Sequence, residues 1–225
     1  MNFKDDFMRR EEKEEMLYRQ EGECGCVQEP VVAYDVQASK RQGAYTVQDY
    51  YNLPEDVRAE LIDGVIYYMS APTSVHQIIA VSLCVEIRKY IEKKGGNCLS
   101  LLSPIDVRLD CDDKTMVQPD LLILCDKDKL RRWGIMGAPD FVLEVLSEST
   151  RRKDSIKKVV KYADAGVKEY WIIDPKYKKL LVYDFTDDNY PVTYTMDQTV
   201  GVALYHGELQ IDLKEISELI QEYPD

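Results

Sequence analysis

The sequence predicts an α/β protein, a mixed sheet flanked by helices, on three observations. Short apolar runs of strand length recur at 98–109, 117–125, 140–147, 169–174 and 180–185, each of a length suited to a buried strand. Helical patterns interrupt them. Residues 74–94 place Ala80, Leu83, Cys84, Ile87 and Ile91 on one stripe, and a second helix is expected from 152 to 165. The order helix, strands, helix, strand points to a mixed sheet flanked by helices.

Taken in order, residues 1–43 form a charged N-terminal extension without sustained periodicity, and partial disorder suits that composition. Thr46 is a good N-cap for VQDYYNL, and Pro54 interrupts the pattern that follows. ELIDGVIYYMS at 60–70 reads as two strands around the turn dipeptide Asp63-Gly64. Gly95-Gly96 ends the long helix, and Gly166 stops the second one. The domain proper is expected at 44–200. A tail at 201–225 adds weaker strand signals up to Ile211 and a short helix at 213–222.

At 225 residues and 45% hydrophobic content the chain has room for one substantial globular domain plus appendages. It holds no apolar run of membrane-spanning length, and MNFKDDFMRREEKEE is too charged for a signal peptide. A cytoplasmic protein with no membrane contact is the expectation. In that reducing compartment the scattered cysteines read as small core residues. Cys24-Gly-Cys26 is the exception, but a lone C-x-C with two histidines in the whole chain is a weak zinc signal. The net charge of −12 argues against broad attraction to nucleic acid. Residues 151–161, RRKDSIKKVVK, depart from it with six basic side chains against one acidic. Such a run is either a solvated helix face or a phosphate-binding rim.

GAPDFVLEVLSEST at 137–150 holds the main chemical signal, because Glu144 sits inside an apolar strand. An unpaired carboxylate there costs several kcal/mol, roughly, so it calls for a partner or a cation. Asp120 opens the preceding apolar strand, LLILC. Neighbouring strands lie about 4.8 Å apart, so carboxylates on matched faces can share one divalent ion, and oxygen ligands suit Mg²⁺ or Mn²⁺. The alternative is a carboxylate paired with a basic side chain or capping a helix. Asp154, Lys158 and Tyr162, four residues apart, form one helix ridge, while Ile156, Val159, Val160 and Ala163 form an apolar stripe on the other side.

YTVQDYYNLPED, ELIDGVIYYMSAPTSVHQ, QPDLLIL, GAPDFVLEVLSEST, DSIKKVVKYADAGVKEYWIIDP and LLVYDF run in order over about residues 44–186. Together they resemble the Uma family of putative restriction endonucleases, a branch of the PD-(D/E)xK nuclease superfamily. The resemblance implies a restriction-endonuclease-like core. It makes Asp120 the Asp of the Pro-Asp element and Glu144 the (D/E) position. The superfamily expects lysine two residues later, where this chain has Leu146. In this family the lysine comes from the following helix instead, and Lys158 matches that position. Glu60 matches the acidic residue of the first strand and would complete the metal's ligands. His76 matches a family position near the start of the long helix.

These residues imply metal-dependent phosphodiester hydrolysis, most simply by a DNA endonuclease using Mg²⁺ or Mn²⁺. Asp120, Glu144 and Glu60 would hold the cation and Lys158 would orient the attacking water. His76, Arg151, Arg152, Lys153, Lys157 and Lys161 would contact nucleic acid, and a homodimer is one assembly the resemblance allows. The rival is a non-catalytic nucleic-acid or protein-binding module that keeps the nuclease fold. Tyr162 and Tyr170 are expected to pack with satisfied hydroxyls, and Asp106 and Gln118 to lie near the site without a chemical role.

Overall fold

The computed structural model describes residues 40–109, 113–147, 153–187 and 190–221. Nearly all of the extension, with Cys24 and Cys26, lies outside the described residues, as do Arg151 and Arg152. The ordered chain opens with Thr46 capping α1 (Val47–Tyr51): its side chain accepts from Asp49 N–H while Asp49 accepts from the Thr46 N–H. This reciprocal arrangement satisfies two donors that a helix start otherwise leaves open.

A hairpin of β1 (Ala59–Ile62) and β2 (Val65–Tyr68) follows, turning at Asp63-Gly64, where both residues have positive φ. A side chain at Gly64 would strike the Gly43 carbonyl, with its Cβ 2.5 Å from that oxygen, so the turn needs glycine. The long helix is α2 (Ser74–Lys93), which buries Ile79, Ala80, Leu83, Ile87 and Ile91.

The central sheet has the order β10-β9-β8-β7-β5-β3. Its strands are β3 (Leu99–Leu102), β5 (Leu121–Leu124), β7 (Phe141–Val145), β8 (Glu169–Asp174), β9 (Lys179–Asp184) and β10 (Val192–Thr195). Neighbours are antiparallel except β7 and β8, which run parallel. The connection between those two carries the second helical segment.

Three expected elements differ in detail, each for a backbone reason. The single strand at 98–109 is two, because Pro104 lacks an N–H for a ladder. Beyond it β4 (Asp106–Arg108) leaves the sheet and pairs in parallel with β6 (Gly134–Met136). The strand at 117–125 joins the central sheet only after Pro119, while Met116 and Val117 bridge to Leu61 and Val107. The helix at 152–165 begins as a π-helical stretch, Lys153–Lys158, and becomes α-helical only over α3 (Val159–Ala165).

Strand alternation divides the core in two. One sheet face, including Ile123, Leu143, Trp171 and Ile173, packs on α2 and on the C-terminal elements. Those elements are β11 (Thr199–Gly201), β12 (Gln210–Asp212) and α4 (Leu213–Gln221), so the tail contributes to the domain's own core. The other face, including Leu122, Val142, Tyr170 and Ile172, packs against Ile62, Val107 and Tyr162. Cys98 and Cys125, expected as separate reduced core residues, form a disulfide. They follow the β3–β5 register one step beyond Leu99 and Leu124, which sets them opposite each other. No helix among the described residues is long and apolar enough to cross a membrane.

Candidate active site

Asp120 and Glu144 belong to the second of those core faces. Leu121 pairs with Leu143 across antiparallel β5 and β7, so one further step sets Asp120 opposite Glu144. The Val145 N–H donates to Asp120 Oδ2 at 2.7 Å, which fixes that carboxylate against the end of β7. Both groups are buried, Asp120 to 8% exposure and Glu144 to 3%.

Lys158 comes to them from the π-helical stretch. Its side chain is 1% exposed, and its Nζ lies 2.7 Å from Glu144 Oε1, 2.7 Å from Glu60 Oε1 and 3.2 Å from Asp154 Oδ1. A lysine is almost never buried this deeply unless paired. Here three carboxylates surround it. Burial works against the ammonium, but Asp154, Glu144 and Glu60 outweigh it, and the group stays charged well above the ordinary lysine range. Tyr162, one turn further, donates to Glu144 Oε1 at 2.8 Å, and Tyr170 donates to the Asp154 carbonyl at 3.2 Å. Both tyrosines are packed with their hydroxyls satisfied, as expected.

Glu60, fully buried on β1, is oriented by more than the lysine. The Gln118 N–H donates to its Oε1 at 2.9 Å. The Gln118 amide in turn donates to Tyr50 Oη at 3.0 Å and to Asp106 Oδ1 at 2.9 Å, and accepts from Arg58 at 3.3 Å. Tyr50 closes the loop with a 2.7 Å bond to Asp106. Gln118 and Asp106, expected near the site without a chemical role, brace the hairpin that delivers Glu60.

His76 lies in the first turn of α2, where its backbone N–H donates to the Thr73 cap. Its Nε2 is 2.9 Å from Asp120 Oδ2, and its Nδ1 is buried without a hydrogen-bond partner.

The charge balance of this pocket is uneven. Glu60, Asp120, Glu144 and Asp154 are all buried, and Lys158 is the one buried cation among the described residues. Burial raises the Glu144 carboxyl well above its usual range; Lys158 opposes the rise, and Asp120, Asp154 and Glu60 add to it. The pocket therefore favours taking up further positive charge, as a proton or as a metal ion. Both donors to Glu144 converge on Oε1, and both donors to Asp120 converge on Oδ2. Among the described residues these donors engage one oxygen of each carboxylate. Among the described residues no group of three or more His, Cys, Asp or Glu side chains is gathered to hold a metal by protein ligands alone.

Of the expected basic rim, the described side chains are those of Lys157 and Lys161. Lys157 donates to Tyr67 Oη and lies 5.1 Å from that ring's centroid, while Lys161 pairs with Asp63. Both lie beside the β1–β2 hairpin. The side chain of Lys153 lies outside the description, as do Arg151 and Arg152. The apolar stripe is where the sequence misleads most: Ile156 and Val160 are 60% and 57% exposed. Asp154, as a third partner of Lys158, was signalled only by its place on the ridge.

The Uma2 family, described as "Putative restriction endonuclease", matches residues 47–214, which is more than half of the chain. The chain belongs to this family. A relative in Synechocystis, the uncharacterized protein slr1290, is 26% identical over 130 residues, 57% of this chain and 67% of its own length. A crystal structure from Anabaena variabilis, described as a putative nuclease belonging to DUF820, superposes with a TM-score of 0.66 at 21% identity. It covers 78% of this chain and 98% of its own, so the two share a fold. Residues Glu60, His76, Asp120, Glu144 and Lys158 all fall within the Uma2 match.

Proposed function

We propose that this Uma2 protein is a metal-dependent phosphodiesterase acting on DNA as an endonuclease. The observation that carries the proposal is the excess of buried carboxyl groups around a single buried ammonium. Burying ions costs several kcal/mol each, roughly, and replacing a buried ion pair with packed apolar groups is often neutral or stabilising. A charged cluster of this density serves chemistry better than it serves folding.

Asp120 and Glu144 would hold Mg²⁺ or Mn²⁺ through carboxylate oxygens. Two carboxylates with water completing the shell is the usual donor set for such ions. The cation would supply Lewis acidity at the phosphoryl oxygen and a water of lowered pKa. The chain's own residues do the rest. Lys158 offers its ammonium beside Glu144, where it can align the attacking water and offset negative charge as the phosphorus is attacked. Glu60 and Asp154 hold that ammonium in place and keep it protonated. Glu60, expected as a third ligand, acts mainly by fixing the lysine, since its Oε1 is engaged by Lys158 and the Gln118 N–H. Tyr162 and the Val145 N–H fix the rotamers of Glu144 and Asp120. His76 steadies Asp120 through its Nε2, 2.9 Å from Oδ2.

The test is direct. Purified protein is incubated with supercoiled plasmid, single-stranded DNA and RNA, in Mn²⁺, Mg²⁺ or EDTA. Nicking or linearisation of plasmid in metal, absent in EDTA and in Glu144→Gln, is the expected result. A preparation that binds DNA yet cuts none of the three in either metal would favour the non-catalytic binding module.

A further inference from the structure

The segment 126–133, DKDKLRRW, carries four basic side chains against two acidic in a chain of net charge −12. It lies on the loop leading into β6, well separated in sequence from the basic run at 151–161. Arg131, Arg132 and Trp133 are exposed. Trp133 is 42% exposed and Tyr51, from the end of α1, is 45% exposed. Their rings meet edge to face, with centroids 6.3 Å apart and planes at 77°. Tyr50 backs Tyr51 in the same way, at 5.8 Å and 71°. The pair is therefore braced by Tyr50 and partly open to solvent.

Large aromatic rings left exposed and mutually braced are well suited to recognition, since they add contact area with little side-chain entropy to lose. Arg131 is held by the loop, its Nη1 donating to the Leu130 carbonyl at 3.0 Å and to the Asp128 carbonyl. Arg132, also exposed, directly precedes Trp133 in the chain. A π-face beside a guanidinium matches a nucleobase joined to its phosphate. The platform is also tied to the lysine pocket. Tyr50 hydrogen-bonds Asp106 and accepts from Gln118, whose backbone N–H holds Glu60.

We infer that Tyr51 and Trp133, with Arg132, form a second nucleic-acid contact that stacks an unpaired base of the substrate. The occupant is single-stranded nucleic acid, because in a duplex the ring faces are already stacked on their neighbours. Recognition there is sequence-tolerant, since every base presents a π-face. This rests on the phosphodiesterase reading, yet it can be tested apart from it.

The chain has two tryptophans, and Trp171 is 1% exposed, so quenching by a ligand reports Trp133. Full-length protein in EDTA is titrated with a short oligo(dT) and with a duplex of equal length. Oligo(dT) should quench the fluorescence, and the duplex should do so far less. By anisotropy of labelled oligo(dT), Trp133→Ala should weaken binding about tenfold or more while Trp133→Phe stays within about threefold. Arg132→Ala should lower the slope of log affinity against log salt by about one. Absence of quenching at saturation, equal quenching by the duplex, or wild-type affinity in Trp133→Ala would each overturn the inference. Plasmid cleavage without quenching would remove the platform and leave the phosphodiesterase. Quenching without cleavage would do the reverse.

Discussion

Helix α2 and the helical segment 153–165 bury opposite kinds of side chain. Helix α2 turns Ile79, Leu83, Ile87 and Ile91 to the sheet, each at most 4% exposed. Segment 153–165 turns Asp154, Lys158 and Tyr162 inward, each at most 2% exposed, and leaves Ile156 and Val160 in solvent. Both follow helical spacing, and both cover a sheet face. Burying a leucine or isoleucine stabilises by about 1.5–3 kcal/mol, so the first helix is explained by folding alone. The second gives up apolar burial to enclose charges, which folding alone does not favour. The difference shows that a ridge of charged residues at i, i+4 spacing can be the inside of a helix when strand carboxylates wait beneath it.

The largest effect should come from removing the buried cation. A lysine that only oriented the attacking water would, on replacement by alanine, cost activity and leave the fold intact. The structure changes that expectation, because three carboxylates would lose their shared counter-ion. Breaking such a buried cluster costs about 3–5 kcal/mol, so urea denaturation should show a marked loss of stability. Cleavage should fall by about two orders of magnitude or more at a temperature where the variant remains folded. If stability were unchanged, the two helices would not differ in the way described. The matching change in α2, Leu83→Ala, should cost about 2–5 kcal/mol by the same denaturation while leaving cleavage per folded molecule unaltered.

A finer distinction lies in pH. The Glu144 carboxyl titrates above its ordinary value of 4.5 in the folded chain, chiefly through burial. The folded state therefore binds that proton more tightly than the unfolded one. Its contribution is fully present below the unfolded value and is lost as pH rises through the raised folded one. In chelator, Glu144→Gln should gain in melting temperature relative to wild type as pH rises from about 5, because glutamine stays neutral. A gap independent of pH would contradict the assignment. Smallest of all should be Ile156→Lys, which alters an exposed position and should stay within about 0.5 kcal/mol of wild type.

Much of this was legible in the chain. Thr46, Asp63-Gly64 and Gly95-Gly96 set element boundaries through local chemistry, and the structure has a cap, a turn and a helix end at those places. Glu144 was conspicuous because an apolar strand is a costly place for a carboxylate. The inward turn of Lys158 was not legible from periodicity, which favours burying Ile156 and Val160. It depends on the β1 hairpin and β7 supplying Glu60 and Glu144 from positions 98 and 14 residues away. The Gln118 network was hidden for the same reason, since its partners Tyr50 and Glu60 come from distant elements. Pairing of Cys98 with Cys125 followed from strand register, which six scattered cysteines do not reveal.

The central claim is that the inward polar ridge and the strand carboxylates exist to hold a divalent cation. Thermal unfolding of the full chain, titrated with Mn²⁺ and separately with Mg²⁺ at fixed ionic strength, tests it most directly. Ligand binding to the folded state alone raises the melting temperature with concentration, by about 2.7 kcal/mol of stability at a hundred times the dissociation constant. The account predicts a rise in the wild type that grows with the logarithm of metal concentration above the dissociation constant, abolished in Asp120→Asn and in Glu144→Gln, with Ca²⁺-free potassium chloride as the inert control. A wild-type curve that does not move with either metal, or that moves equally in both variants, would contradict it.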